Sequence, residues 1–461
     1  MNKGDVFETI IEDLTSDGAG LGRVDGMAVF VNGAIPGDKV RAGITKLKKN
    51  YAEAKLIKIL EDSSDRVEPA CPYADKCGGC ALQAMSYEAQ LELKRRQVES
   101  KLARIGGVEE PLVNPVIGMA EPYKYRNKGE YPAHAKDGKS VIGFYERRSH
   151  MIVDVDECML QSEVADAVTG IVRKLNSGAI KQVVVRTAYG TGEVMVILEC
   201  IADKVKNLES MIYAIDEAVA SVDEEYPFSL ESVYTVNDGK YKLIAGKKTI
   251  TDSVEFEEGK RIDFEISAPS FYQVNTEQMI NLYNKAAEYA GLTGTETLLD
   301  LYCGIGTIGL SMVDKAKQVI GIEIVKEAVI DANRNATING IVNARYICGR
   351  AEDVLPACAD LSQEYDEWTA EAKLAEVLAK GEDIVAVLDP PRAGCDEALL
   401  ETIANTGVKR IVYISCDPGT LARDVKILGE KGYTFVEATP VDMFPWTGHV
   451  ESVCLLTKVH K

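Results

Sequence analysis

From residue 1 to about 60, apolar and polar positions alternate in short runs, VFETIIEDL, MAVFVNG, DKVRAGITKLKK and YAEAKLIKIL, separated by glycine-rich turns such as GAGLGRVDG. Alternation with period two buries one face of a strand, and several short strands with turn signals at this spacing predict a small antiparallel barrel. The period then changes. AQLELKRRQVESKLARIGG carries a helical pattern and stops at Gly106-Gly107, which predicts a helix over about 86–107. Residues 111–265 hold further strand-like runs, KQVVVRTAYG and VMVILECIA, and read as a mixed α+β unit. Beyond about 270, the strands TLLDLYC, KQVIGIEI, DIVAVLDPP, RIVYISCDP and ESVCLLTKV alternate with helical segments. Such alternation predicts a mostly parallel sheet covered by helices, hence an α/β fold class for the C-terminal part. The expected units are 1–60, 61–265 and 266–461, with the helix at 86–107 packing on the last.

A length of 461 residues suits about three domains. With 46% hydrophobic and 27% charged residues the balance is that of a soluble globular protein. No run of about 18 apolar residues offers a membrane span, and the start, MNKGDVFETIIEDLTSDG, has acids where a signal peptide needs an apolar core. A cytoplasmic location is expected, with no membrane partner; protein partners are not set by the sequence, and a monomer is compatible with it. Eleven scattered cysteines without a secretion signal argue against a disulfide framework and toward metal binding or catalysis. The net charge of −20 opposes a simple nucleic-acid coating protein. The charge is uneven, however. Seven Lys or Arg lie between Lys39 and Lys58 against the single acid Glu53, while acids crowd 209–231 and 364–382.

Chemistry concentrates at the ends of the C-terminal strands. Asp300-Leu-Tyr-Cys-Gly304-Ile-Gly306-Thr-Ile-Gly309 runs a strand through a glycine turn into a helix, where a ligand can approach the backbone. Glu323, seventeen residues past Gly306, ends the next strand and can hold ribose hydroxyls. That pair fits a nicotinamide cofactor and S-adenosylmethionine about equally, and Cys303 within the turn reads as a packed small residue. Asp389-Pro-Pro-Arg392-Ala-Gly follows an apolar strand, so Asp389 points into the ligand crevice, and two prolines stiffen the loop. Amine methylases carry a similar acid-or-amide-Pro-Pro loop followed by an aromatic residue; Arg392 stands there instead. Cys416 precedes Asp417 and Pro418, a good N-cap and first helical position, which would set the thiol at a helix N-terminus and stabilise its thiolate. On position alone Cys416 serves equally well as a packed small residue. Glu451, before the last apolar strand, is a candidate general base if folding brings it near Cys416, and otherwise a solvated strand-end acid.

A separate cluster, Cys71-x5-Cys77-x2-Cys80, brings three thiols within ten residues beside Gly78-Gly79, with Cys158 as a distant fourth. Thiolates suit an iron–sulfur cluster or zinc, and the spacing speaks for metal without choosing between them.

The order and wording of these motifs resemble the RNA uracil-5-methyltransferase family, in particular its bacterial large-subunit (23S) rRNA branch. The resemblance spans nearly the whole chain. It implies that residues 1–60, with GAGLGRVDG and NGAIPGDKV, form a TRAM domain, an OB-type RNA-binding barrel. It implies that Cys71, Cys77, Cys80 and Cys158 ligate a four-iron four-sulfur (4Fe-4S) cluster. It further implies that Gln273 (in PSFYQVN), Tyr302, Glu323 and Asp389 contact S-adenosylmethionine, that Cys416 is the nucleophile and that Glu451 is the base. The expected reaction adds the Cys416 thiolate to carbon 6 of uracil, making carbon 5 nucleophilic toward a methyl group, after which Glu451 removes the carbon 5 proton. The target uridine would lie in a loop or be flipped out, because a duplex hides carbon 6. Arg392 and Arg126 would contact phosphate or support the substrate.

Three other readings remain at this point. A nicotinamide oxidoreductase would use the glycine turn and Glu323 but leave Cys416 and Glu451 idle. A non-catalytic RNA-binding assembly factor would leave all of them idle. Within the family, a uridine in the tRNA T loop is the rival target. One departure from the family pattern is visible: SQEYDEWTAEAKLAEVLAKGED, around 361–383, is longer and more acidic, and reads as an inserted amphipathic surface helix.

Overall fold

The alternating N-terminal runs fold as β1 (Val6–Leu14), β2 (Ala19–Val24), β3 (Met27–Asn32), β4 (Lys39–Leu47) and β5 (Tyr51–Glu61) in the computed structural model. The structure describes residues 1–459 apart from 16, 137–138, 177, 202–203, 224, 226, 361, 367–368 and 382. The five strands close into a barrel in the order β1-β2-β3-β5-β4, with β3 and β5 parallel. Ile11, Val31, Val40, Ala42 and Ala54 fill it. The segment expected as a glycine turn, GAGLGRV, is instead the strand β2. Its glycines are there for space: a Cβ on Gly20 would stand 2.8 Å from the Ala34 carbonyl oxygen, and one on Gly22 would stand 2.8 Å from Thr9. The basic run of β4 and β5 is partly neutralised, since Lys39 pairs with Glu61, Arg41 with Glu8 and Lys46 with Glu53.

Helix α1 (Tyr87–Arg104) leaves the barrel and ends before Gly106-Gly107, Gly107 having φ +68°. Val98 and Leu102 are buried in the same apolar cluster as the C-terminal sheet, and the helix lies along α10 (Pro418–Glu430).

The central part is a seven-stranded sheet in the order β12-β11-β10-β9-β6-β7-β8. Its strands are β6 (Lys128–Lys136), β7 (Lys139–Tyr145), β8 (Ile152–Asp154), β9 (Gln182–Thr187), β10 (Glu193–Glu199), β11 (Ser229–Asn237) and β12 (Lys240–Gly246). Helices α2 (Glu163–Leu175) and α3 (Leu208–Ala220) cover one face. A hairpin, β13 (Thr249–Glu255) and β14 (Arg261–Ser267), leads into α4 (Thr276–Ala290).

The C-terminal sheet has the order β17-β16-β15-β18-β19-β21-β20. It comprises β15 (Thr297–Leu301), β16 (Gln318–Glu323), β17 (Ala344–Cys348), β18 (Ile384–Leu388), β19 (Arg410–Ser415), β20 (Tyr433–Val441) and β21 (Glu451–Lys458). The first five strands are parallel, and β21 runs antiparallel between β19 and β20. The intervening helices are α5 (Thr307–Ser311), α6 (Lys326–Ile338), α7 (Ala351–Ala359), α8 (Ala370–Lys380) and α9 (Glu397–Asn405), with α10 after β19. Strands β15 and β18 are buried at every position, which is why they read as continuous apolar runs. The acidic stretch around 361–383 holds α8, whose Leu374 and Val377 are fully buried, so that the helix is anchored in the sheet's core and not merely laid on the surface. Among the described residues, no helix is long and apolar enough to cross a membrane.

Candidate active site

Strand register assembles the site. Leu301 stands opposite Ile322 on one side and Leu388 on the other, so Tyr302, Glu323 and Asp389 emerge together at the carboxyl ends of three parallel strands. The antiparallel register of β19 and β21 ends with Ser415 opposite Ser452, and one residue further on each strand come Cys416 and Glu451. A cavity of about 730 Å3 lies over this edge, and Gln273, Tyr302, Glu323, Asp389, Cys416 and Glu451 all line it. Its volume falls in the range of about 300–1,000 Å3 usual for cofactor-sized ligands.

The glycine turn forms the floor. Gly304 and Gly306 take φ of +55° and +83°, and between β15 and Gly304 Tyr302 is held at +66°, a conformation costly for a bulky residue. Glu323 braces the turn, its carboxylate accepting from the amides of Gly304 (3.1 Å) and Val325 (2.8 Å). Tyr302 donates its hydroxyl hydrogen to Glu352 at 2.7 Å. Beneath, Asp300 accepts from Gly309 N–H at 2.8 Å, while its other carboxylate oxygen is buried without a partner among the described residues. Burial pushes Asp300 up to about 7, and Asp389 and Glu323 add to the rise. Cys303 is buried, as a packed small residue should be.

The opposite wall holds Cys416, Asp389 and Glu451. Asp417 caps α10, accepting from the amides of Gly419 (2.7 Å) and Thr420 (3.1 Å), with Pro418 first in the helix. The cap forms as the sequence indicates, but burial outweighs it at Cys416. The helix amides are taken by the Asp417 carboxylate, and burial together with Glu451 raises the Cys416 thiol to about 11, opposed by Arg392. Burial raises Glu451 to about 8, and the nearby Asp389 reinforces this. Burial alone lifts Asp389 to about 7. Three acidic groups packed in one apolar recess thus favour their protonated forms, as in many catalytic sites. The Asp389 loop is tied down at its far end, where Cys395 N–H and the Tyr413 hydroxyl both donate to Asp424, at 2.9 and 2.6 Å.

Phe271, Phe444 and His449 complete the walls, and Phe271 is 69% exposed at the mouth. Phe271 lies in the PSFYQVN segment and His449 beside Glu451, both stretches that the sequence marks out, but Phe444 carries no signal there. Arg392 lies in this cavity, whereas Arg126 does not: it lines the cysteine cavity, and its backbone bridges Gln161 and Asn275. A second groove of about 620 Å3 shares Arg392, Cys416 and His449, and carries Arg96, Lys101 and Arg104 of α1 on its wall, with Glu12 and Asp13 of the barrel opposite.

Cys71, Cys77, Cys80 and Cys158 line a separate cavity of about 420 Å3. Gly78 lets the loop pass close to β7, its N–H donating to the Tyr145 carbonyl at 2.9 Å, where a Cβ would stand 2.8 Å from that oxygen. Burial raises the thiols of Cys77, Cys80 and Cys158, those of Cys80 and Cys158 to about 12 and about 11. The four cysteines thus share one cavity, yet among the described residues no group of three or more His, Cys, Asp or Glu side chains is arranged to hold a metal ion.

A mostly parallel sheet with a glycine turn after its first strand, with β21 inserted antiparallel and a small closed barrel ahead of it, defines an α/β protein that binds a ligand at the strand ends. A family model described as tRNA (uracil-5-)-methyltransferase matches residues 86–459, and a TRAM-domain model matches residues 2–57. An uncharacterized RNA methyltransferase of Halalkalibacterium halodurans is 44% identical, with 99% of this chain and 98% of that one covered. Another from Caldanaerobacter subterraneus is 42% identical over the whole of both chains. Among solved structures, the Pyrococcus abyssi tRNA (uracil-54, C5)-methyltransferase in complex with S-adenosyl-L-homocysteine is similar with a TM-score of 0.70. It is 27% identical and covers 98% of this chain and 100% of its own. The chain belongs to the RNA uracil-5-methyltransferase family and carries that family's barrel and methyltransferase sheet.

Proposed function

We propose that this chain methylates carbon 5 of a uridine in 23S rRNA, with Cys416 as covalent nucleophile and Glu451 as base. The observation that carries this reading is the juxtaposition of Cys416 and Glu451 at adjoining strand ends, inside the cavity floored by the glycine turn. Gln273, Tyr302, Glu323 and Asp389 would hold S-adenosylmethionine, and the cavity's volume and acidic hydroxyl-binding groups fit it. When bound, it supplies an electrophilic methyl group. Cys416, once ionised, adds to carbon 6 of the uracil and forms a carbon–sulfur bond, so that electron density reaches carbon 5. Arg392, which opposes the rise of the Cys416 thiol, favours that ionisation. After methylation Glu451 accepts the carbon 5 proton, and the carbon–sulfur bond breaks to restore the ring and the thiolate. The recess keeps water from these groups, and Phe271 at its mouth offers a face on which a base can stack.

A uridine of tRNA is the second reading, favoured by the Pyrococcus abyssi relative, whose printed name specifies a tRNA uracil. Purified protein incubated with tritiated S-adenosylmethionine and unmodified 23S rRNA or tRNA, followed by nucleoside analysis, decides between them. Label in 5-methyluridine of rRNA alone is the expected result; label in tRNA alone would transfer the reading. Cys416→Ala should reduce label to background, and label surviving in that variant would overturn the covalent mechanism. No label in either RNA would favour an RNA-binding assembly factor.

The cysteine cavity is assigned in this reading to a 4Fe-4S cluster on Cys71, Cys77, Cys80 and Cys158. Support comes from the donor set alone: four thiols line one cavity, and thiolates are the ligands such clusters take. Anaerobic purification should yield brown protein with about four irons and four sulfides per chain. A colourless zinc protein would sink the assignment.

A further inference from the structure

Arg392 stands on the loop after β18 and lines both the reaction cavity and the groove beside it, each time together with Cys416. It is exposed, and among the described residues no carboxylate pairs with its guanidinium. Its place is therefore set by the backbone on either side. Ahead of it, Pro390 and Pro391 fix φ. Behind it, Gly394 N–H donates to the Pro391 carbonyl at 2.8 Å and closes a turn around Arg392 and Ala393.

That turn sits on α10, the helix that starts two residues after Cys416. The Arg423 guanidinium donates to the Ala393 carbonyl at 2.9 Å, to the Cys395 carbonyl at 3.2 Å and to the Asp424 carboxylate at 2.7 Å. Asp424, whose side chain is fully buried, also accepts from Cys395 N–H and from the Tyr413 hydroxyl. The seat is tight: a Cβ on Gly394, at φ +76°, would stand 2.5 Å from the Arg423 guanidinium and 2.6 Å from the Asp424 carboxylate. A buried carboxylate is costly unless donors satisfy it, and two of these three donors tie it to this one loop. Neither Arg423 nor Asp424 lines the reaction cavity, so substrate contact does not account for them.

Cys416 meets charge from several elements. Burial raises its thiol, Glu451 and Asp389 add to the rise, and Arg392 opposes it. His449 lines both spaces, and Asp417 caps α10 at the next position. The groove adds Arg96, Lys101 and Arg104 of α1, with Glu12 and Asp13 of the barrel. Of these cations Arg392 alone lines both spaces.

We propose that Arg423 and Asp424 are positioning residues that hold Arg392 beside Cys416. The inference rests on Cys416 being the nucleophile for its activity arm alone; the reactivity of the thiol is measured without turnover.

Alkylation of Cys416 in the full chain, followed on its own peptide by mass spectrometry, tests this with neutral iodoacetamide and anionic iodoacetate. A neighbouring guanidinium speeds both reagents by favouring the thiolate, and the anion further by attraction. Arg392→Gln should slow iodoacetamide at pH 8 by about threefold or more, and iodoacetate by about tenfold or more. Arg423→Gln alters a side chain that is 45% exposed and leaves Asp424 its two other donors, so the fold should survive. It should slow both reagents in the same order, iodoacetamide by about twofold or more, and combined with Arg392→Gln it should add nothing further. Gly394→Ala, which lifts the turn off α10 with Arg423 and Asp424 intact, should reproduce the Arg423→Gln result. Unchanged rates in Arg423→Gln, or losses that add in the double variant, overturn the proposal. So do unchanged rates in Arg392→Gln, and so does faster alkylation in Arg423→Gln, because the loop would then merely shield the thiol. In the methylation assay Arg423→Gln should lower kcat by about threefold or more with KM for S-adenosylmethionine nearly unchanged. If the natural protein methylates neither RNA, the alkylation rates still decide.

Discussion

Glu451 shows how a single residue's role depends on its surroundings. As a strand-end acid it would ordinarily be solvated, but here it is 6% exposed and pushed up to about 8 by burial and Asp389. Only its ionised form can take the carbon 5 proton, so turnover should rise with pH between 6 and 8, by up to about tenfold per unit. The Cys416 thiol, raised to about 11, works in the same direction. A pH–rate profile flat from 6 to 9 would contradict these assignments. Glu451→Gln should let the thiol add to uracil but block proton removal, so a protein–RNA adduct should accumulate on a denaturing gel; its absence, with Cys416 intact, would remove Glu451 from the role of base. The variant's melting temperature checks its folding. A carboxyl raised from 4.5 to about 8 binds a proton in the folded chain that the unfolded chain has released, so it costs stability as pH rises through that window. Glu451→Gln should therefore melt higher than the natural protein at pH 8 and equally at pH 4. Cys416, Asp389 and Glu451 were all legible as candidates from their strand-end positions, but their protonation preferences were not, because burial depends on what the rest of the chain lays over them.

At the scale of elements, α1 links the barrel side of the molecule to the catalytic sheet through a buried charge pair. Lys94 Nζ lies 2.5 Å from Asp442, both side chains fully buried, and the Tyr87 hydroxyl donates to the same carboxylate at 2.9 Å. Lys94 occupies the stripe of Val98 and Leu102, at helical spacing on the buried face. A lysine on an apolar stripe is thus the sequence signal of a buried partner, though nothing in the sequence indicates that the partner lies 348 residues away. Burial lowers the Lys94 ammonium and the Asp442 charge opposes that fall. Lys94→Ala should destabilise the chain by about 3–5 kcal/mol, since it leaves a buried carboxylate uncompensated. Lys94→Met combined with Asp442→Leu should recover most of that loss. Urea denaturation of the two single variants and the double variant measures it, and a cost below about 1 kcal/mol for Lys94→Ala would show that water reaches Asp442.

For the molecule as a whole, the net charge of −20 has to be reconciled with an RNA substrate. Three cations of the barrel's basic run are already paired with barrel carboxylates. The groove beside Cys416 gathers Arg96, Lys101, Arg104 and Arg392, with Glu12, Asp13 and Asp417 on its walls and Arg96 3.8 Å from Glu92. Four cations, at about 0.7 counterions released per single-strand phosphate, set an upper bound of about −3 on the log affinity–log salt slope. Titration of RNA binding over a range of potassium chloride concentrations checks this. A slope steeper than about −6 would require a second, more extensive basic surface.

Periodicity alone determined much of this protein. Runs of period two became barrel strands, β15 and β18 appeared as continuous apolar runs because helices cover both faces, and the Asp417-Pro418 pair marked the start of α10. These features are local, set by backbone propensity and by which side of an element meets the core. The glycine-rich strand β2 escaped because its glycines answer to crowding by Ala34 and Thr9, contacts that exist only once the barrel closes. The candidate site was legible as a set of residues, but their meeting was not: parallel register brings Tyr302, Glu323 and Asp389 to one edge, and the antiparallel insertion of β21 adds Glu451 beside Cys416. Tertiary structure alone decided that the cysteine loop lies against Trp446, a contact across more than 360 residues whose cause is packing and not pattern.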